Sequence, residues 1–370
     1  MNDLKIEIAQ DQDADEIIKL VNLCFEKDMV KSVPVLYNEN KNRMKNHYII
    51  KEDDKIVAIF CLLCRDLVCL EDTLKIGEIG SVCVHKDYRN QGLMQQMLNY
   101  ANKLLREQNC DMAFLSGKYE RYHHFLYESS NQCYYVSYSA SRNINPDIHF
   151  CKMEDGNNEY VDYSLPLYEQ SELYIKRTKK DFIDNCIQWC KEGYFILHQS
   201  HIIGYLVYFP LENEIEEIKV EDKKQLKGII TTFMAYKQLD EIKRKILNSD
   251  YDKENTSNKM IYNKNNKLFQ IIHLEKVISV FLNYRLRHEI LKEGSLGIKV
   301  IAYDTFTIEV YEGKAIVSNK SKHFDLEVSY DAMQKIILQT NSVVLEKNRV
   351  NELLESWFPL PIFLLDSDQI

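Results

Sequence analysis

The chain has 370 residues and a formal net charge of −9, with 45% apolar and 28% charged residues. This composition excludes a disordered chain, and the acidic balance excludes a polybasic nucleic-acid-binding surface. A chain of this length exceeds one ordinary domain, so we expect two or three domains. No basic segment followed by an apolar one opens the sequence, and the longest apolar run, Ile56–Cys64, is shorter than the roughly 20 residues of a membrane span. We therefore expect a soluble cytoplasmic protein.

The first 145 residues predict an α/β domain. Apolar residues recur with helical spacing from Asp13 to Cys24 and again after Leu93, where leucine, methionine and alanine share one face. Tyr119–Tyr127 suits a short helix, and the segment ends near the turn dipeptide Asn145-Pro146. Apolar or alternating runs predict five strands, at His47–Lys51, Lys55–Cys64, Lys75–His85, Met112–Ser116 and Cys133–Ser139.

The middle of the chain predicts a second α/β unit. Its strands are expected at Tyr194–Leu197, His201–Phe209 and Glu214–Val220, and a helix over Lys224–Leu247. Ile76–Val82 can be laid over Glu214–Val220, and a helix follows both segments. This faint internal repeat predicts that the second unit shares part of the plan of the first.

A polar stretch over Asn248–Lys267 is the best linker candidate. After it we predict an amphipathic helix at Leu274–Arg287, short strands within Gly297–Val317 and at Phe324–Val328, and a helix from Tyr330. The last hundred residues thus form a third, α+β unit. We place the three domains at residues 1–145, 146–267 and 268–370.

The chain contains 10 cysteines, and Cys61 and Cys64 have the spacing of half a metal or redox site. Both lie in a predicted strand, where positions three apart point to opposite faces. No second close pair completes a metal site. We therefore interpret the cysteines as structural thiols and predict no metal centre.

The stretch from Val82 to Met94 carries the most informative pattern. A strand ends, a tight basic turn follows, and a helix begins at Gly92. The backbone N–H groups and the dipole of a helix N-terminus attract an anion, a glycine lets a diphosphate approach the backbone, and Arg89 adds positive charge. The alternative is a plain strand-to-helix connection. The joint occurrence of strand, Tyr88-Arg89, glycine and a long amphipathic helix favours the anion site.

This stretch resembles motif A of the GCN5-related N-acetyltransferases, V-x-V-x-P-x-[Y/H]-R-x-x-G-x-[G/A], which cradles the pyrophosphate of acetyl-CoA. Lys86 replaces the frequent proline, and Met94 replaces the final small residue, although a helix residue there can point away from the ligand. The resemblance implies acetyl-CoA as co-substrate. It assigns coenzyme binding to Val82, Cys83, Val84, Arg89, Asn90, Gln91, Gly92, Leu93, Met94 and Gln95.

A large apolar residue at the position of Met94 is common in one branch of this superfamily, the enhanced intracellular survival (Eis)-like acetyltransferases. The whole chain resembles that branch. The resemblance implies an active N-terminal acetyltransferase fold, a second, degenerate one, and a C-terminal domain similar to sterol carrier proteins. The turn after Val220 lacks the Arg-x-x-Gly pattern, so the second fold is expected not to bind coenzyme A.

The same resemblance suggests the catalytic groups. Tyr122 precedes a string that partly matches the family's R-F-G-Y, with Leu126 in place of the glycine, and it aligns with the general acid. The alternative is an aromatic packing residue, and His123 and His124 rank lower because the family assigns them no role. The carboxylate of the chain end is the family's base. Here the end is Ile370, after an apolar tail whose other explanation is packing on its own domain.

These patterns lead to a functional expectation with two alternatives. We expect an acetyl-CoA-dependent N-acetyltransferase acting on a primary amine, such as an aminoglycoside, a polyamine, or a lysine or peptide amine. The alternatives are a non-catalytic acyl-CoA or lipid-binding module and a purely structural oligomer. The resemblance also implies a homo-oligomer, commonly a hexamer in this family. No nucleic-acid or membrane partner is expected.

Overall fold

The computed structural model describes residues 5–38, 44–130, 133–141, 144–154, 156–246, 260–263, 267–319, 323–339 and 348–370. In chain order the strands are β1 (Ile6–Ile8), β2 (His47–Glu52), β3 (Lys55–Cys69), β4 (Asp72–Val84), β5 (Met112–Ser116), β6 (Glu128–Ser129), β7 (Cys133–Ser139), β8 (Ile148–Lys152), β9 (Leu173–Ile175), β10 (Glu192–His198), β11 (His201–Phe209), β12 (Glu214–Val220), β13 (Glu241–Ile246), β14 (Met260–Asn263), β15 (Lys267–Ile271), β16 (Gly294–Ile301), β17 (Thr305–Tyr311), β18 (Lys314–Asn319) and β19 (Leu326–Ser329). The helices are α1 (Ala14–Phe25), α2 (Met29–Ser32), α3 (Pro34–Tyr37), α4 (Leu93–Glu107), α5 (Tyr119–Tyr122), α6 (Asn158–Glu169), α7 (Lys179–Ile187), α8 (Leu226–Lys237), α9 (Leu274–His288), α10 (Tyr330–Leu338) and α11 (Arg349–Trp357).

The first sheet has the order β1-β2-β3-β4-β5-β15-β6, with β9 paired to β3. The hairpin β2–β3, the strand β4 and the helix α4 confirm the elements predicted for this region, although β3 and β4 extend further toward their shared turn than predicted. β4 and β5 are parallel and are connected through α4. Their pairing ends at Ile79 and Leu115, whereas β4 continues to Val84, so the two strands separate beyond that point.

Residues on β4 alternate between the two faces of this sheet. A Cβ built at Gly77 would meet Leu105 of α4, and Ile79 packs in the same core, so these positions face α4. Glu78 and Gly80 therefore face the other side. The thiols of Cys61 and Cys64 also lie on opposite faces, Cys61 in the core beneath α1 and Cys64 beside Cys110 on the α4 face, as the strand period predicts.

The second sheet has the order β14-β7-β13-β12-β11-β10-β8. β12 and β13 are parallel and connected through α8, which repeats the β4–α4–β5 plan. The prediction of one helix over Lys224–Leu247 is wrong. Gln238 adopts a left-handed conformation that ends α8, and alternate burial of Ile242, Arg244 and Ile246 makes the next segment strand β13.

A four-stranded sheet, β18-β17-β16-β19, and the helices α9 to α11 form the C-terminal unit. α9 and α10 confirm the two predicted helices. Most of the predicted linker, residues 248–259 and 264–266, lies outside the described residues. Its end at Lys267 instead begins β15, which pairs with β5 and β6, while β7 pairs within the second sheet. The fold is mixed α/β, as predicted. Some strands of one sequence segment pair in the sheet of another segment.

Candidate active site

The turn between β4 and α4 has the geometry of an anion site. Gly92 is the N-cap of α4, with φ +80°, and a Cβ built on it meets nothing within 4 Å. Asn90 also adopts a positive φ, and Asn90, Gln91 and Gly92 are all exposed. The first N–H groups of α4 have no acceptor within the helix and face this opening. Arg89 Nε donates to the carbonyl oxygen of Val84 at 3.3 Å, which holds its cation at the turn.

The packing of Leu93 and Met94 explains why the turn tolerates Met94 where the motif has a small residue. Leu93 is buried and Met94 packs partly buried against the same core as Met97 and Leu98. The Met94 side chain therefore points away from the exposed turn. Gln95, one position on, is exposed.

A β-bulge bends β4 just before this turn. Ile59 pairs with Cys83, whereas Cys61 pairs with Gly80, so two residues of β4 oppose one residue of β3. Ser81 takes a φ of +52° there. Tyr37 donates to Ser81 Oγ at 2.6 Å, and His47 lies 3.2 Å from the same tyrosine hydroxyl. Val82–Val84, beyond the bulge, lie outside the pairing of β4 with β5.

Tyr122 lies beside the end of β5, on the α4 face of the sheet. A Cβ built at Gly117, directly after β5, would be 2.5 Å from the Tyr122 ring, so only glycine leaves room for it. Tyr122 is buried in the core that also contains Leu93 and Met97 of α4. Burial raises the pKa of Tyr122 above its usual value, with a small opposing effect of Arg121. Tyr122 is therefore a proton donor at neutral pH.

The chain end reaches the opposite face of the same strand. Ile370 is buried in the core beneath α1, and a Cβ built at Gly80 would lie 3.0 Å from its backbone oxygen. Ile370 N–H donates to Glu78 at 2.6 Å. The terminal carboxylate thus lies against β4, one residue before the bulge. The tail is not packed on its own domain alone.

Glu78 fixes this position. One of its oxygens accepts from Ile370, and the other is 2.5 Å from Arg65 Nη2. Arg65 also donates to the carbonyl oxygen of Asp368. Burial raises the pKa of Glu78 to about 7, and Arg65 partly offsets that effect. Glu78 is therefore a positioning residue for the chain end. The sequence analysis did not predict this role. The signal that could have identified Glu78 is a carboxylate on the inward face of an otherwise apolar strand.

Buried contacts to the second sheet hold the rest of the tail. Arg177 Nε is 2.7 Å from Asp368, and its Nη2 is 2.8 Å from Glu217 and 2.9 Å from Ser367 Oγ. Trp189 donates to the Gln369 carbonyl at 3.1 Å. Since the side chains of this ion network are almost fully buried, the tail is locked between the first two sheets.

We expect Arg177→Met to destabilise the protein by about 3–5 kcal/mol, because it leaves Glu217 and Asp368 buried without their cation. Urea unfolding measures the loss, and proteolysis should also release the tail more readily. Lys299→Met is the control, since it removes an exposed ion pair with Glu327 and should cost less than about 1 kcal/mol. Equal losses in the two variants would contradict the role of the buried network.

A cleft of about 750 Å³ lies between the end of β5, the second sheet and the tail. Its lining includes Trp189, together with Ser116–Tyr119 and Gln369, which neighbour Tyr122 and Ile370 in sequence. None of the residues of the β4–α4 turn lines it. The coenzyme turn and the cleft are therefore separate openings, and the cleft lies at the end of β5, beyond its pairing with β4.

The structure thus places the predicted residues in three groups. The coenzyme turn and Tyr122 share the α4 face of the sheet, and Ile370 lies on the other face. The pairing of β4 with β5 ends at Ile79 and Leu115, between these groups. Within the described ranges, no group of three or more His, Cys, Asp or Glu residues could hold a metal ion, and no helix has the length and apolarity to cross a membrane.

Comparison with known proteins identifies the first domain. Residues 5–129 match the Acetyltransferase (GNAT) domain family. No curated protein matches the chain in sequence.

Solved structures resemble the whole chain at low sequence identity. A GCN5-related N-acetyltransferase from Kribbella flavida is 11% identical, with a TM-score of 0.69 over 100% of this chain and 98% of that one. Eis1 from Mycobacterium abscessus is 9% identical, with a TM-score of 0.66 over 99% and 100% of the two chains. A protein from Enterococcus faecalis V583, described as a probable N-acyltransferase, is 14% identical, with a TM-score of 0.66 over 99% of each chain.

These likenesses show the fold, and the family match concerns residues 5–129. Residues 5–129 form a GNAT acetyltransferase domain, and the protein is an acyltransferase. GNAT acetyltransferases use acetyl-CoA, which fits the exposed N-terminus of α4 and the open space at Gly92.

Proposed function

We propose that the protein transfers the acetyl group of acetyl-CoA to a primary amine bound in the cleft, with the carboxylate of Ile370 as base and Tyr122 as acid. The position of Ile370 carries the proposal, because it sets a carboxylate against β4 directly before the bulge that precedes the coenzyme turn. Aminoglycosides, polyamines, and lysine or peptide amines are the acceptor classes we propose. The Eis-like resemblance supports the same assignment.

The proposed roles account for each proton and bond. The Ile370 carboxylate takes a proton from the amine, whose nitrogen attacks the thioester carbonyl carbon. Backbone N–H groups at Val82–Val84 stabilise the oxyanion. As the C–S bond breaks, its electron pair leaves with sulfur, and Tyr122 donates a proton to the thiolate. The products are an N-acetyl amine and free coenzyme A; Ile370 then loses a proton to water and Tyr122 regains one.

We propose one coenzyme site per chain. In the second sheet the turn after β12 contains Asp222, whose side chain accepts from Lys224 N–H at 3.0 Å. The N-cap of α8 is Gln225, with φ −81°, where α4 has Gly92 with φ +80°, and Gly228 lies inside α8 rather than at its start. This difference supports a degenerate second acetyltransferase fold. We also propose a sterol-carrier-like C-terminal domain, a homo-oligomer and a cytoplasmic location, on the resemblance alone.

Release of coenzyme A thiol tests the proposed activity. The full-length protein is incubated with acetyl-CoA and a panel of primary amines, and the product is identified by mass. Thiol release matched by acetylated amine is the expected result. Acetyl-CoA binding without any thiol release would instead indicate a non-catalytic acyl-CoA-binding module.

We expect Tyr122→Phe to lower kcat roughly 10²-fold and to leave acetyl-CoA affinity unchanged, since only the proton donor is lost. Steady-state kinetics and calorimetry measure the two quantities. Tyr127→Phe is the matched control, because this buried tyrosine lies in the same core and its hydroxyl bonds to Asn102. A Tyr122→Phe enzyme with normal turnover would exclude Tyr122 as the acid.

A further inference from the structure

Lys191 is an unusual residue in the cleft. It is 7% exposed and lines the cleft, directly before β10. Trp189 and Cys190, the two residues before it, both have positive φ values, and Lys191 N–H donates to the carbonyl oxygen of Gln188 at 3.3 Å. This tight turn fixes the direction of the lysine. Among the described residues its ammonium group has no hydrogen-bond partner.

The other two buried lysines of the cleft are satisfied. Lys245 is 2.5 Å from Asp366 and 3.4 Å from Glu214, and Lys267 is 2.6 Å from the other oxygen of Asp366. Lys267 also donates to the Leu364 carbonyl oxygen at 2.6 Å. Both cations therefore hold the tail.

Lys191 is less well compensated. Its ion-pair partner is Glu216, at 3.9 Å, and Glu216 also faces Lys245 at 3.7 Å and accepts from Asp366 N–H. Burial lowers the pKa of Lys191, and Glu216 only partly offsets this. A buried ammonium without a hydrogen bond is costly, and an anionic ligand would remove that cost. The three lysines of the cleft lie among three carboxylates, Glu214, Glu216 and Asp366, so their charges balance. Of the three lysines, however, Lys191 is the one whose donor group no acceptor in the described residues uses, and a carboxylate oxygen of a ligand fits it.

We propose that Lys191 binds a carboxylate of the acceptor, so that the preferred substrate is an amino acid-like molecule carrying both a primary amine and a carboxylate. The inference rests on the proposed acetyl transfer in this cleft. The amine end of such a molecule lies toward the Ile370 carboxylate, and its own carboxylate lies toward Lys191. Trp189 contacts both regions, because it is two residues before Lys191 in the chain and its indole N–H donates to the carbonyl oxygen of Gln369, next to Ile370.

Matched pairs of acceptors test this proposal on the full chain. Each pair consists of an ω-amino acid and its amide (β-alanine, 4-aminobutanoate and 6-aminohexanoate), which differ only in the carboxylate. We expect at least one acid to exceed its amide about 10- to 100-fold in kcat/KM, the effect of one charge-assisted hydrogen bond. The series also reports the distance between Lys191 and the reacting amine.

Lys191→Met should reduce this preference to less than about threefold, because it lowers kcat/KM for the acids more than for the amides. Lys237→Met is the control, because Lys237 pairs with Glu192 outside the cleft lining and its loss removes the same charge. Lys191→Gln serves as the second variant if Lys191→Met does not fold. Equal rates for every acid and amide in the wild type, or an unchanged preference in the Lys191 variant, would overturn the proposal.

Trp189 fluorescence separates this inference from the proposed function, because Trp189 lines the cleft. Titration with acid and amide in the presence of coenzyme A measures acceptor binding without turnover. Carboxylate-dependent quenching that Lys191→Met abolishes would support the site even if no amine were acetylated. Acetylation of amines without any such dependence would reject the Lys191 site and keep the acetyltransferase.

Discussion

Two residues added after Ile370 are expected to lower kcat roughly 10²–10⁴-fold while acetyl-CoA binds normally. Ile370 is 5% exposed and its backbone lies against Gly80, so the added residues displace the terminal carboxylate from β4. A base that moves by a few ångströms can no longer take the amine proton directly. The coenzyme turn lies on the other face of the sheet and is not disturbed. Thiol-release kinetics and calorimetry measure the two effects.

Ile370→Leu provides the control for the extension. It keeps the terminal carboxylate and the side-chain volume, so its kcat should stay within a few-fold of the wild type. Extension is a sharper test than truncation, because residues Phe363 and Leu364 remain in their packed positions. An extended chain with full turnover on a good amine would show that the carboxylate of Ile370 is not the base.

Gly92→Glu is expected to reduce acetyl-CoA affinity at least about 10²-fold. The folded chain has room for the side chain, since a Cβ at Gly92 meets nothing within 4 Å. The loss would come from a negative charge and a side chain placed where the pyrophosphate meets the start of α4, and like-charge contacts cost several kcal/mol. Calorimetry with acetyl-CoA measures the change.

Gly313→Glu is a closely matched control for this variant. Gly313 has φ +72°, compared with +80° at Gly92, and it also has no neighbour within 4 Å of a built Cβ. Both substitutions therefore cost about 1–2 kcal/mol in backbone strain, and only Gly92→Glu should weaken coenzyme binding. Similar affinities for the two variants would place the pyrophosphate elsewhere.

The coenzyme turn could be predicted from the sequence because its signals are local. The strand before Val84, the glycine at position 92 and the helical stripe after it lie within one continuous segment, and each has its own pattern. The position of Ile370 could be predicted only through the family resemblance. Its contact with Glu78 joins residues 292 positions apart, which no local pattern encodes.

The pairing of β15 in the first sheet was not predictable either, because it depends on contacts between residues that are distant in sequence. Lys267 is the end of the predicted polar linker, yet it begins β15, which pairs with β5, and the partners of this strand are decided by the sheet edge available in space. The prediction of a helix beyond Lys237 was wrong because the charged residues of β13 hide the alternating pattern that is typical of a strand. Lys191 and Arg177 were missed because burial of a charge depends on partners that are distant in sequence.

A crystal structure of the protein with coenzyme A and an N-acetyl amine tests the central claim most directly. We expect one coenzyme per chain, with its pyrophosphate over Asn90–Gln95, its sulfur within about 3 Å of the Tyr122 hydroxyl, and the product nitrogen within the same distance of the Ile370 carboxylate. A coenzyme bound to the second sheet, or a product nitrogen remote from Ile370, would contradict it.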